Sequence, residues 1–329
     1  MEQYSIKDIA KLSGVSTATV SRVINHKGKY SEQTKEKVLK IIEQTGYNID
    51  VSAQSLRTNI THTIGILVPD IKNPFFADLV QKIENHLFNK NYSTFICDTN
   101  KKQEKEKAYL QMLEKKKVDG VIVISGSGKR GFKFESSIKK IPYICIDREP
   151  QNFNDTIFIS SNHYQGAYDA TTYLINKNAA NHLLIISDRI STSSESRLAG
   201  FKDALKQNGL KYSKANNYLL LKKDIDFDSF ISKHPETNGI FAINDNLAIR
   251  VLNRAKFLHI DIPNQIQIIG FDDIPAASLV NPSLTTIAQN TKRIAKSTVD
   301  SILSSIEGQG DKGSKLLIPV KMVIRQSTK

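Results

Sequence analysis

Residues 5–25 read SIKDIAKLSGVSTATVSRVIN, and the reading of this stretch decides how the N-terminal part of the chain folds. Ser5 precedes an apolar helical pattern and Asp8 follows three positions later, the spacing at which two side chains cap a helix start reciprocally. Ile6, Ile9 and Ala10, together with Leu12, supply the inner face of that helix. Ser13-Gly14-Val15 then breaks it, because Gly14 can take the positive φ of a tight turn between helices and Val15 can plug the core beneath. Ser16 caps a second helix whose Val20, Val23 and Ile24 face inward, which leaves Thr17, Ala18, Ser21, Arg22 and Asn25 outside. Small Thr17 and Ala18 suit a helix lying deep in a DNA major groove, and Arg22 matches the paired O6/N7 acceptors of guanine. Ser31 opens a third helix, SEQTKEKVLKIIEQTGY over 31–47, whose Val38, Leu39, Ile41 and Ile42 close a small core. Short amphipathic helices joined by a glycine turn also occur in structural bundles, so this pattern alone leaves DNA reading and plain packing both open.

Outward from the head, 329 residues at 40% hydrophobic and 24% charged composition are enough for two or three globular domains. The formal net charge of +13 favours a polyanionic partner. Residues 1–60 hold nine Lys and Arg against six Asp and Glu, so most of the excess lies further on, much of it in residues 101–140. Lys115-Lys116-Lys117 reads as a solvated helix end. Cys97 and Cys145 sit inside apolar runs and read as small core residues, and the seven His show no metal-ligand spacing, so neither a metal nor another cofactor is expected. Met1 to Asp8 lacks an apolar signal core, and no stretch reaches the ~20 apolar residues that span a bilayer. A cytoplasmic protein without a membrane partner is expected.

From Thr63 the pattern changes to short apolar strands alternating with amphipathic helices, which points to parallel α/β sheets. Strands are expected at 64–68, 94–97, 121–124, 143–146, 183–186, 239–242 and 266–270, with helices such as 75–88 and 247–257 between them. Ligands of open parallel sheets sit beyond the carboxyl ends of the strands. Asp147 and Arg148, Asn244 and Asp245, Asp272 and Asp273, and Gln289 all stand at such ends; Asn73, Phe75 and Phe76 follow the first strand, and Arg197 opens a helix. Carboxylates, amides and guanidinium groups bond adjacent hydroxyls, and aromatic rings cover a sugar's C–H face, so the set suits a neutral polyol. Singly, each also has a structural reading: Asp272 as a turn former, Arg197 as an ion-pair partner, Phe75 and Phe76 as helix core.

The strings at 5–25 and 31–47 closely resemble the head of the lactose/galactose repressor family, and the resemblance continues through the whole chain. It implies an all-α helix-turn-helix head over 1–47, a hinge helix and linker over 48–60, and an α/β two-lobed domain of the periplasmic-binding-protein type over 61–329. The lobes are expected at about 61–160 with 291–320, and 161–290 with 321–329. Within the hinge, VSAQSLR at 51–57 matches the family's hinge helix, and Leu56 matches the leucine levered into the minor groove beside Arg57. Asn48, Ile49 and Asp50 depart from the Pro and Asn that often follow the tyrosine matching Tyr47, and Asp50 faces phosphate badly.

NPFF at 73–76, IDR at 146–148, the Ser196-Arg197 pair, ND at 244–245, GFD at 270–272 and TIAQ at 286–289 look like the ribose-binding pattern. By that resemblance Asn73, Phe75, Phe76, Asp147, Arg148, Arg197, Asn244, Asp272 and Gln289 contact the sugar, and Asp245 and Asp273 are structural; the resemblance aligns no second-lobe aromatic, for which Tyr218 and Phe227 are the candidates. Purine-responsive relatives tend to carry an aromatic where Arg148 stands, which argues against a purine. The C-terminus lacks leucine heptads, so a homodimer on a pseudo-palindromic double-stranded DNA operator is expected, acting as a repressor that sugar releases. Three alternatives stand beside it. A catabolite-control regulator would use a phosphocarrier protein as co-repressor, for which Lys292 and Arg293 leave room. A sugar-binding transport protein would need a signal peptide and no head. A glycosidase would pair Asp147 with Asp272, but no nucleophile with an activating base accompanies them, so no enzyme activity is expected.

Overall fold

The reciprocal cap at Ser5 forms: Asp8 N donates to Ser5 Oγ at 3.4 Å, and Ser5 N donates to Asp8 Oδ2 at 2.8 Å. It starts α1 (Ile6–Ser13), which Gly14 ends at φ 64°. Ser16 Oγ accepts from Thr19 N at 3.1 Å at the start of α2 (Thr17–Ile24), and Ser31 Oγ accepts from Thr34 N at 3.2 Å at the start of α3 (Glu32–Thr45). Ile9, Ala10, Val20, Val23 and Val38 are buried together, with Ile6, Val15, Ile24, Tyr30, Ile41, Ile42 and Tyr47 packed around them. Two expected core residues lie elsewhere: Leu12 is 50% exposed and Leu39 42%. At 3.6 residues per turn, Leu12 falls about a third of a turn off the face shared by Ile6, Ile9 and Ala10. Ser13 is buried on that face instead, its hydroxyl donating to Ile9 O at 2.5 Å.

This computed structural model describes residues 4–24, 28–47, 60–125, 132, 141–178 and 180–329, and the chain divides into two units, Met1–Thr61 and His62–Lys329. The second unit holds two six-stranded sheets. The lobe 1 sheet has the order β11-β5-β4-β3-β1-β2, from β1 (Thr63–Val68), β2 (Ser93–Asp98), β3 (Gly120–Ile124), β4 (Tyr143–Ile146), β5 (Ile157–Ser161) and β11 (Lys315–Ile318). The lobe 2 sheet has the order β12-β10-β9-β8-β6-β7, from β6 (Leu183–Ser187), β7 (Tyr218–Leu220), β8 (Gly239–Ala242), β9 (Gln267–Asp272), β10 (Thr285–Ala288) and β12 (Lys321–Val323). All pairings are parallel except β10 with β12. The chain crosses between sheets three times: from β5 to α6 (His163–Asn178), from β10 to α12 (Thr291–Ile306), and from β11 to β12.

Alternation along the strands puts a core on both faces of each sheet. In β1, Ile64, Ile66 and Val68 pack under α4 (Pro74–Phe88) and α12, while Leu67 points to the opposite core with Leu110 and Leu113 of α5 (Gln103–Lys115). Gly65 leaves room there for Leu113, whose Cδ1 a Cβ would meet at 2.5 Å. Lobe 2 has one large core around Phe201, Phe227, Phe241 and Phe271, covered by α6, α7 (Thr192–Gln207), α9 (Asp224–Lys233) and α10 (Asp245–Phe257); the short helices α8 (Lys214–Asn217) and α11 (Pro275–Leu279) complete it. Cys97 and Cys145 are buried free thiols, and burial pushes them up to about 11 and about 12. No helix among the described residues is long and apolar enough to cross a membrane.

Candidate functional site

Parallel strands deliver their carboxyl ends to one edge of each sheet, and the polar residues gathered there include the buried Asp147, Arg148, Asp245 and Asp272. Asp147 follows β4 at φ 54°, and its Oδ1 accepts from Ser160 Oγ at 2.7 Å, Ser161 N at 3.2 Å and His163 Nε2 at 2.8 Å. Burial alone would raise its pKa, but the His163 ring, the Ser160 hydroxyl and Arg197 outweigh burial and hold it below the usual carboxylate range. Arg197 lies on the second turn of α7 and is 3% exposed. Its Nη1 donates to Ile243 O, its Nη2 stands 3.1 Å from His163 Nδ1 and 3.7 Å from Asp272 Oδ1, and its Cζ lies 3.7 Å from the Phe271 ring centre. Burial lowers this guanidinium to about 10, against the pull of Asp272, so it is a cation at neutral pH.

Asp272 ends β9, and its Oδ1 accepts from Gln289 Nε2 at 2.7 Å. Burial pushes its carboxyl up to about 7, with Arg197 opposing. Asp147, His163, Arg197, Asp272 and Gln289 thus form one continuous chain of contacts that runs from lobe 1 into lobe 2. A cavity of about 190 Å³ lies against its lobe 1 end, lined by Asp147, Ser160, Ser161, His163, Thr192 and Ser196 among others.

The remaining expected contacts have other local roles. Asn73 and Asn244 are helix caps: Asn73 Oδ1 accepts from Phe75 N at 3.0 Å, and Asn244 Oδ1 from Leu247 N at 2.8 Å. Phe75 and Phe76 meet edge to face at 5.4 Å and belong to the lobe 1 core. Arg148 Nη1 donates to Glu106 Oε2 at 2.5 Å, and its Cζ lies 5.0 Å from the Phe132 ring centre. Asp245 accepts from Thr286 Oγ1 at 2.5 Å and Ile274 N at 2.9 Å, and Asp273 pairs with Arg325 at 2.7 Å. Phe227 is fully buried in the lobe 2 core, which removes it as a cleft aromatic, and Tyr218 lines a separate groove with Tyr212. The ring against Arg197 is Phe271, inside the GFD string but passed over in favour of its aspartate. His163 carries no such signal in the sequence, because β5 before it, Ile-Phe-Ile-Ser-Ser, has only three apolar residues before two serines.

Partners already made determine which atoms remain. Within the described residues Asp147 Oδ2, Asp272 Oδ2, Asn73 Nδ2 and Asn244 Nδ2 make no hydrogen bond. Arg197 Nε and Gln289 Oε1 are buried without a partner. The edge therefore offers acceptors and donors in equal measure, and an orphaned buried polar atom carries a cost of about 1–3 kcal/mol that a ligand can remove.

In the first unit Thr17, Ala18 and Arg22 are exposed on α2 and Ser21 is half-buried. Asn25 and Leu56, with the hinge segment around Leu56, lie outside the described residues. Gly28, at φ 85°, lets Arg22 lie close to its backbone: a Cβ there would stand 3.3 Å from Arg22 Cδ. Among the described residues no group of three or more His, Cys, Asp or Glu is placed to hold a metal ion.

Residues 5–49 match the lacI family of bacterial regulatory proteins, and residues 171–328 match a periplasmic binding protein-like domain. A ribose operon repressor of Halalkalibacterium halodurans is 33% identical over 333 residues, 99% of this chain and 97% of that one. This chain belongs to the lacI family. The HTH-type transcriptional repressor PurR of Pasteurella multocida is 30% identical over 336 residues, 99% of this chain and 98% of its own length. Among solved structures, a periplasmic binding protein/LacI transcriptional regulator of Alkaliphilus metalliredigens complexed with D-xylulofuranose superposes with TM-score 0.72 at 29% identity, covering 82% of this chain and 99% of that one. The lacI-family chain is a DNA-binding transcriptional repressor, with an all-α helix-turn-helix head and a two-lobed α/β domain.

Proposed function

We propose that this lacI-family repressor senses a neutral pentose, ribose in the first place, at the strand ends between its lobes, and leaves its operator when the sugar binds. The observation that carries the reading is the set of open atoms. Asp147 Oδ2, Asp272 Oδ2 and Gln289 Oε1 accept, while Asn73 Nδ2, Asn244 Nδ2 and Arg197 Nε donate. Hydroxyl groups do both, so a polyol satisfies such a set without adding net charge. On this reading the protein binds the sugar without converting it and works in the cytoplasm. Thr17, Ala18, Ser21, Arg22 and Asn25 read bases in the major groove, with Leu56 in the minor groove.

A homodimer is part of the proposal. Phe95 and Ile96 are 44% and 49% exposed on the edge strand β2, and Leu279 and Phe257 are 82% and 68% exposed on lobe 2. Apolar side chains at those exposures suit a second copy of the chain. Two heads then meet half-sites about one helical turn apart.

Calorimetric titration with D-ribose, D-xylulose and purine bases tests the ligand. D-Ribose is expected to bind, and Asp272→Ala to weaken it strongly. Purine binding with no sugar binding would overturn the reading. Operator DNA must weaken sugar affinity by the factor by which sugar weakens operator affinity. Equal sugar affinity with and without operator would remove the coupling.

A further inference from the structure

We infer that His163 is a positioning residue of the effector site: its imidazole, carrying its one proton on Nε2, ties the Asp147 carboxylate of lobe 1 to the Arg197 guanidinium of lobe 2 and sets which atoms of each meet the effector. The effector part of this inference rests on the sugar reading above.

The tautomer follows from the partners. Arg197 can only donate, so Nδ1, 3.1 Å from its Nη2, must be the bare nitrogen. Asp147 can only accept when ionised, so Nε2, 2.8 Å from its Oδ1, must carry the proton. A doubly protonated ring would aim an N–H at a guanidinium. The charged groups around the ring are Asp147 after β4, Arg197 on α7 and Arg189 between β6 and α7; the Phe271 ring of β9 lies 5.6 Å away. Burial lowers the pKa of His163, Asp147 opposes, and the two arginines reinforce burial, so the ring is neutral at pH 7.

The bridge determines the open atoms. Asp147 Oδ1 is filled by Ser160, Ser161 and His163, which leaves Oδ2. Arg197 Nη1 and Nη2 are held by Ile243 O and His163, and Nε is the guanidinium nitrogen left without a partner. His163 also stands two residues after β5, where the chain first passes from one sheet to the other, so its two bonds join the lobes at a crossover.

The experiment uses the full chain with 15N-labelled histidine, the His163 signals being assigned by their loss in His163→Gln. In sugar-free protein at pH 7, one bare and one protonated ring nitrogen are expected, in the Nε2–H tautomer. The Nδ1–H tautomer or a doubly protonated ring would overturn the inference, and this measurement stands whatever the effector is. Titration with D-ribose supplies the second arm. His163→Leu is expected to weaken binding about 10-fold or more, because two charge-assisted hydrogen bonds are lost. His163→Gln offers a donor and an acceptor on one carboxamide and is expected to recover most of that loss. Wild-type affinity in both variants, or equal loss in both, would overturn the positioning role. Should the leucine variant fail to fold, the glutamine variant and the tautomer still decide. If wild-type protein binds no D-ribose, the sugar reading fails while the bridge is still judged by its tautomer.

Discussion

In the head, the bonds that start the helices span three positions, as at Ser5 with Asp8, Ser16 with Thr19 and Ser31 with Thr34. In the cleft, Arg197 reaches 34 residues back to His163 and 46 forward to Ile243, and Asp272 meets Gln289 17 residues on. The head leaves Thr17, Ala18 and Arg22 exposed on α2 and keeps its scaffold local. The cleft buries its charges and holds them with one another. Local scaffolds tolerate loss of one bond, whereas a buried charge stripped of its partner has nowhere to turn.

The largest effect should come from breaking the cleft. Arg197→Ala leaves His163 Nδ1 and the Asp272 carboxylate without their cationic partner, at a cost of about 3–5 kcal/mol. Sugar binding should fall below detection by calorimetry while operator binding persists. Retention of sugar affinity would show that the buried chain of contacts is not the effector site. Next, a Cβ at Gly200 would stand 2.2 Å from Tyr164 O, where α7 crosses α6. Gly200→Ala should therefore destabilise the second unit by about 1–3 kcal/mol, read as a lower urea midpoint, with the head's DNA contacts unaltered.

On the head side, Arg22→Ala should lose about 1–3 kcal/mol of discrimination at one guanine position. Uniform weakening on every DNA sequence would make Arg22 a phosphate contact instead. Ser5→Ala removes one cap and should cost about 1 kcal/mol in head stability, the smaller loss expected of a local scaffold.

The most diagnostic effect is on pH. Asp272 is pushed up to about 7 and Asp245 to about 6, both by burial, so the folded chain holds protons there that the unfolded chain has released above its ordinary carboxylate pKa. These groups favour folding at low pH, and their contribution is lost as pH rises through about 6 to about 7. Urea midpoints at pH 5 and pH 8 should converge in Asp272→Asn relative to wild type. An unchanged difference would place the titration elsewhere.

Legibility followed the same divide. The caps, the glycine turn and the strand ends could be read because each depends on residue type and short spacing. Leu12 and Leu39 were misplaced because a short amphipathic helix leaves its boundary apolar residues undecided until neighbours choose a face. Phe227, one of two candidates for a second-lobe aromatic, joined the lobe 2 core, while Phe271 took the place against Arg197. Nothing in the sequence near His163 announces two charged partners from different lobes.

By itself the sequence determined seven of the strands, their alternation with helices, the head's three caps and the residues offered at the strand ends, since hydrogen bonds across three or four positions and period-two or 3.6 patterning are properties of the chain. Only the tertiary structure decided that Asp147, His163, Arg197, Asp272 and Gln289 form one buried chain of contacts and which atoms that chain leaves open. The physical reason is desolvation: a buried charge must find its partners, and which groups are within reach is settled when the two sheets come together.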